Sequence, residues 1–187
     1  MTKSNKPLST KIEFEKSRIT LGLFSSRTDE WETPLYVFEM LNKEFNFQLD
    51  VCATSENTKC NVFFSKAVDG LSQEWSPFRC WMNPPYGRNI SKWIKKAHDE
   101  SQKGALVVCL IPSRTDTKWW HDYVMKSSEI RFVSGRLSFG NQNQSAPFPS
   151  SIVIFYPELE NPYKLTVPII TTVRFEKGKN QLKFFEK

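Results

Sequence analysis

Residues 83–86 read Asn-Pro-Pro-Tyr and directly follow the short apolar run Arg79-Cys80-Trp81-Met82. Neither proline carries a backbone N–H, so the pair stiffens the chain and turns carbonyls outward without offering a donor. The side-chain oxygen of Asn83 and the carbonyl of Pro84 can then accept both protons of one planar amino group. Pro85 sets the turn, and Tyr86 adds a face on which a planar base or amide can lie. Such a site makes an exocyclic amine nucleophilic without a general base, through positioning and electrostatics alone. The plainer alternative is a strand-terminating turn with an exposed tyrosine.

Other chemistries are excluded by counts. Glycine occurs only 7 times in 187 residues and never as Gly-x-Gly. A P-loop, a Rossmann dinucleotide fingerprint and a kinase-type phosphate loop are therefore absent. Cys52, Cys60, Cys80 and Cys109 form no C-x-x-C, and only His98 and His121 accompany them. No metal site is expected, and the cysteines read as small buried thiols of a reducing compartment. The 26 Lys+Arg against 20 Asp+Glu leave a formal charge of +6, beside 14% aromatic residues with 6 Trp and 15 Phe. That pairing suits a protein that stacks bases and meets phosphates.

Several elements must position the motif. Residues 1–22 are Lys/Ser-rich and aperiodic, and read as a mobile basic arm. A helix starts at Thr33-Pro34, with Thr as N-cap and Pro at the first helical position. Leu35, Phe38, Leu41 and Phe45 recur at helical spacing and face the core. A strand runs from Phe47 towards Cys52 and ends its alternation at Asp50, and residues 53–77 are irregular. The prolines end the strand at 79–82, and a helix follows from about Ser91 to Gly104. The apolar run Ala105–Ile111 reads as a central strand covered on both faces. Another helix is expected over 117–126, then strands at 129–133, 135–139 and 150–156. The 157–187 tail is β-prone. Alternating strands and helices imply a single three-layer α/β domain over 23–156, with a mostly parallel twisted sheet and an antiparallel hairpin at one edge. Ligands bind such sheets beyond the carboxyl ends of the strands, where Asp50–Ala53, Asn83–Tyr86 and Pro112–Asp116 arrive.

The segments SRTDEWETP (26–34), LDVCAT (49–54), WMNPPYG (81–87), IPSRTDTKWWHDYV (111–124) and GRLSFG…SAPFPS (135–150) together resemble the phage-type DNA adenine-N-6 methyltransferases. Order and spacing match over about residues 24–156. The resemblance implies a Rossmann-like methyltransferase fold, S-adenosylmethionine as cofactor and double-stranded DNA as partner. Asn83 and Pro84 would hold the adenine amino group, and Tyr86 would stack on the flipped base. Glu32, Thr33 and Pro34 match an element that meets the methionine end of the cofactor. Asp50, Cys52 and Ala53 match the first cofactor motif. Asp69 stands where an acid contacts the cofactor's adenine amino group. The missing Gly-x-Gly departs from methyltransferases at large, and no separate acid for the ribose hydroxyls is evident.

Bland rivals accompany these assignments. Asp50 is alternatively a cap, and Asp69 alternatively serves its Asp-Gly turn. Trp31 lines the cofactor pocket or belongs to the core. Candidate DNA contacts are Arg88, Lys92, Arg114, Asp116 and Arg136, although Lys92, Lys95 and Lys96 also suit a solvated helix face. Trp119 and Trp120 fit the core better than a base platform, and His121 a helix surface. The amide-rich loop 140–147 either reads base edges or forms an ordinary hairpin tip. The reaction implied is binding of the duplex through its phosphates, flipping of one adenine, and in-line methyl transfer without metal or covalent intermediate. With no block for a separate recognition domain, a short or relaxed target site is expected. Two alternatives stand beside DNA adenine methylation: methylation of another planar amide or amine (a protein glutamine or an RNA base), and a non-catalytic DNA-binding protein on this fold. No apolar run approaches 18 residues and no signal-peptide stretch opens the chain, so a cytoplasmic protein of the bacterial host cell is expected. A monomer is expected, with weak dimerisation as the alternative.

Overall fold

The structure, a computed structural model, describes residues 31–140, 145–178 and 183–184. The basic arm expected over 1–22 lies outside these residues, as does the 141–144 part of the amide-rich loop. At the centre is β4, Leu106–Pro112, every residue of which is buried. Its continuous apolar run leaves no solvent-facing side, as expected of a strand covered on both faces.

Around it lies a sheet of eight strands among the described residues, ordered β2-β1-β3-β4-β6-β5-β7-β8. The strands are β1 Leu49–Asp50, β2 Val62–Phe63, β3 Arg79–Met82, β5 Glu129–Val133, β6 Ser150–Phe155, β7 Ile169–Arg174 and β8 Lys183–Phe184. The β2, β1, β3 and β4 strands run parallel. β6 is antiparallel to both β4 and β5, β7 is parallel to β5, and β8 is antiparallel to β7. The architecture is therefore the mixed α/β sheet of a Rossmann-like methyltransferase fold. The antiparallel pair at the sheet edge is β7–β8, and β5–β6 lies further in because β7 adds a strand beyond β5.

Successive strand residues point to opposite faces, and this places the two long helices. Trp81 packs edge-on against Phe38 of α1, Leu35–Phe45, with ring centroids 5.7 Å apart. Cys80 points the other way, to Trp75, which is hydrogen-bonded to Glu100 of α2, Ile90–Gln102. Helices thus cover both faces. In α1 the buried stripe is Val37, Phe38, Met40, Leu41 and Phe45; Leu35, expected in it, is 58% exposed. The helix also starts later than expected: Pro34 is its N-cap and Thr33 makes no cap, because its hydroxyl is engaged elsewhere. Asn46 ends the helix in the left-handed region and donates to the Asn42 carbonyl.

Three other local expectations change. The helix expected over 117–126 is a five-residue α3, Lys118–Asp122, followed by a 3-10 turn. Residues 135–139 form no strand, since Gly135 turns the backbone at φ +88° and Leu137 and Phe139 are buried without ladder pairing. The irregular stretch after β1 contains β2, which closes the sheet edge by parallel pairing. In the tail, β7 is tied to the core by side chains: Thr171 Oγ1 and the Tyr163 hydroxyl donate to the Glu129 carboxylate at 3.3 and 3.1 Å.

Candidate active site

From β1 the chain moves outward to β2, then returns past β1 to β3 and β4. Order reversal of this kind leaves a crevice beyond the carboxyl ends of the central strands. A cavity of about 370 Å³ opens there, within the size range of small-molecule sites. It brings together Trp31, Thr33, Asp50, Cys52, Ala53, Asp69, Asn83, Pro84 and Pro85, drawn from four separate stretches of sequence. Pro34 and Tyr86 are not among its walls.

Asn83 emerges where β3 stops and is held from two sides. Its Nδ2 donates to the Trp31 carbonyl and to Thr33 Oγ1, the latter at 2.9 Å. A carbonyl only accepts, so these contacts fix which end of the amide is nitrogen. The oxygen end meets the Tyr86 hydroxyl at 2.8 Å. That hydroxyl also lies 3.1 Å from the Leu110 carbonyl of β4. Tyr86 is 3% exposed, and its ring packs edge-on against Phe139 and Phe148, with centroids 6.2 and 5.5 Å away. It is therefore not the open stacking face expected; burial raises its pKa well above the usual phenol range, and its hydroxyl braces Asn83.

Asp50, 3% exposed, ends β1. Burial raises its carboxyl to about 6, against the opposing pull of the Lys59 and Cys52 N–H groups and the Lys59 charge. Those N–H groups lie 3.1 and 3.4 Å from its oxygens, so Asp50 also orders the turn that follows it. Lys59 Nζ reaches back to Glu32 at 3.0 Å, making an ion pair in the cavity wall. Burial pushes the Cys52 thiol well up, so at neutral pH it is a neutral lining group and no nucleophile. Asp69 serves both readings given to it: with φ +54° it caps a 3-10 turn by accepting from Leu71 N–H, and it lines the cavity. Trp31 likewise lines the cavity while packing edge-on against Phe139 and Phe148 at 5.5 and 5.0 Å.

The missing Gly-x-Gly has a structural counterpart. A Cβ on Gly70 would stand 2.2 Å from the Val51 carbonyl oxygen. The close backbone approach after β1 is thus made by a single glycine from the segment before β3. The sequence reads Gly70 only as part of an Asp-Gly turn, Trp81 only as part of the apolar run 79–82 and Trp93 only as part of the helix from about Ser91. It did not single out Lys59 or Phe64. All five line the cavity, and only the tertiary approach of loop 51–70 to α2 gives them that position.

Arg88, Lys92, Arg114, Asp116 and Arg136 are all exposed and lie outside the cavity wall. Arg88, Arg114 and Arg136 follow β3, β4 and β5, which point the same way, so they share the cavity's edge of the sheet. Lys95 pairs with Asp99 as a solvated helix face would, whereas Lys96 turns to the buried Glu100. Trp119 and Trp120 are buried and His121 is exposed. The four cysteines are free thiols, Cys80 and Cys109 buried and the other two half-buried. Among the described residues no group of three or more His, Cys, Asp and Glu is arranged to hold a metal ion. No described helix is long and apolar enough to cross a membrane.

The chain is 30% identical over 141 residues to a "DNA N-6-adenine-methyltransferase" of Haemophilus phage HP1, a match covering 71% of this chain and 82% of that protein. It is 29% identical over 112 residues to a protein of the same description from Escherichia phage T1, covering 59% of this chain and 47% of the relative. The family model described as DNA N-6-adenine-methyltransferase (Dam) matches residues 22–181. That span takes in the whole cavity, the Asn83 turn and β7, and the chain belongs to the DNA N-6-adenine-methyltransferase (Dam) family.

Proposed function

We propose that the protein transfers a methyl group from S-adenosylmethionine to the exocyclic amino group of adenine in DNA. The observation that carries this reading is the fixed amide of Asn83. Trp31 and Thr33 hold its nitrogen end, so its oxygen stays available as an acceptor at the cavity wall. That oxygen has two lone pairs; one meets the Tyr86 hydroxyl, and the other accepts an N–H of the adenine amino group. The Pro84 carbonyl takes the second N–H. Drawing on both N–H bonds enriches the nitrogen in electron density and aims its lone pair, which is the assistance a weakly basic arylamine needs.

The donor set of the cavity fits the cofactor. Asp50 and Glu32 suit an ammonium, Lys59 a carboxylate, and Asp69 the amino group of a purine lying along Phe64 and Trp93. S-adenosylmethionine, when bound, supplies a methyl group made electrophilic by its sulfonium. The protein's part is to hold both groups and exclude water, and neutral Cys52 and Tyr86 do not compete as nucleophiles. On the substrate side, Arg88, Lys92, Arg114 and Arg136 meet phosphates along the shared edge while one adenine leaves the stack.

Asn83→Ala tests the reading. Cofactor affinity measured by calorimetry should stay within about twofold, while transfer of labelled methyl groups to DNA falls by at least roughly 100-fold, the usual scale for losing one preorganised polar group. The label should be released by DNase and retained after protease or ribonuclease treatment. Transfer at the parental rate by Asn83→Ala, or a protease-sensitive label, would overturn it.

A further inference from the structure

Glu100 lies outside the cavity, two helical turns along α2 from Trp93, and is 0% exposed. Burying a carboxylate is costly unless its oxygens are fully partnered. One oxygen takes Lys96 Nζ at 2.8 Å and Lys103 Nζ at 2.9 Å. The other takes the backbone N–H of Trp75 at 2.8 Å and of Ser76 at 3.3 Å. Burial raises the carboxyl's pKa, yet these partners together hold it at about 2, so it stays ionised throughout the working range. A surface ion pair would need only the lysines. The second half of the carboxylate grips the backbone just before β3.

Trp75 carries the contact onward. It is 0% exposed, and its Nε1 donates to the Gly70 carbonyl at 2.8 Å. Its ring stacks on Trp93, with centroids 6.3 Å apart and planes at 26°, and Lys96 Nζ sits 5.8 Å over the same ring. Gly70 and Trp93 are both cavity walls. Gly70 sits close against its neighbours, since a Cβ there would meet the Val51 carbonyl oxygen at 2.2 Å and the Trp93 ring at 3.3 Å. Glu100, Trp75, Gly70 and Trp93 therefore form one continuous series of directional contacts from the far side of α2 to the cavity.

We propose that Glu100 is a positioning residue for the cofactor: through the backbone and indole of Trp75 it sets the places of Gly70, Asp69 and Trp93 in the cavity wall. This rests on the cavity being the S-adenosylmethionine site. Glu100 touches neither the Asn83 turn nor the exposed edge, so its removal should act on cofactor binding and spare the chemical step.

Two variants test this in the full chain. Glu100→Gln removes the charge that grips Trp75, and Trp75→Phe keeps an aromatic, though smaller, ring beside Trp93 while deleting the N–H to Gly70. Each should raise the Kd and KM for S-adenosylmethionine roughly five- to thirtyfold, the range expected from losing one such buried hydrogen bond. Turnover at saturating cofactor and the KM for DNA should stay within about threefold of the parent. Circular dichroism at the assay temperature establishes that each variant is folded, and Trp75→Phe decides if Glu100→Gln is not. Parental cofactor affinity in a folded variant overturns the proposal. So does a parallel loss of turnover and DNA affinity, which marks general loosening. If the parent itself binds no S-adenosylmethionine in calorimetry, the cavity assignment falls and takes this inference with it.

Discussion

Asn83 has more partners than a strand-terminating turn requires, two on the nitrogen of its amide and one on the oxygen. The acceptors Trp31 and Thr33 come from the segment entering α1, 52 and 50 positions before Asn83 in the chain. Tyr86, three residues on, meets the oxygen and anchors to β4. Thr33 accordingly does not cap α1. A hydroxyl at a helix N-terminus is worth about 1 kcal/mol as a cap, but here it satisfies a donor at the reacting end of the site. We expect Thr33→Val to lower turnover about tenfold, the effect of losing one neutral hydrogen bond of roughly 1.4 kcal/mol, with Thr33→Ser restoring most of it. Steady-state rates at saturating DNA and cofactor check this; equal rates for the Val and Ser variants would show that the hydroxyl does not orient the amide.

At the scale of elements, α1, β5 and the tail meet at one buried ion cluster. Arg131 of β5 forks onto Glu44 of α1 with two contacts of 2.6 Å, and reaches Glu129 with contacts of 2.7 and 3.0 Å. Glu129 also receives Tyr163 and Thr171 from the tail. Arg131 and Glu129 are almost fully desolvated while Glu44 is partly exposed, so removing the central cation leaves the buried Glu129 carboxylate without a counter-charge. Arg131→Met is expected to cost about 3–5 kcal/mol and to lower the thermal midpoint by about 10 °C for a chain of this size. The cluster lies outside the cavity wall, so methyl transfer well below the midpoint should persist. A scanning calorimetry trace with an unshifted midpoint would remove the cluster from any role in stability. The tail is thus held in the sheet by the same residues that hold α1.

For the whole molecule, the relevant quantity is where the +6 charge meets a duplex. Arg88, Arg114 and Arg136 follow three strands that point alike, so one edge carries both the cavity mouth and separate cations. Contacts to phosphate release counterions and carry no sequence information. Replacing any one of the three by alanine should weaken binding to unrelated duplexes alike and reduce the slope of log affinity against log salt by about one. Fluorescence anisotropy across a salt series measures this; an unchanged slope for all three would move the DNA surface elsewhere.

Within those scales, local chemistry wrote some features directly into the chain. Asn83–Tyr86 is legible because two prolines have only a few ways to follow a strand, and β4 because only a strand covered on both faces tolerates seven consecutive buried residues. Asp50 was legible because sheet geometry delivers the carboxyl end of its strand to that edge. Other features depend on contacts distant in sequence. A threonine before a proline looks like a cap until Asn83 claims its hydroxyl. A tyrosine beside the Asn-Pro-Pro turn looks like an open platform until Phe139 and Phe148 cover it. A lone glycine in an Asp-Gly turn shows no sign that the Val51 carbonyl will press against it. Sequence by itself determined the candidate groups and the sheet edge they share. Tertiary structure alone decided what each group is held by, because hydrogen-bond partners and close approaches between distant segments have no local period to betray them.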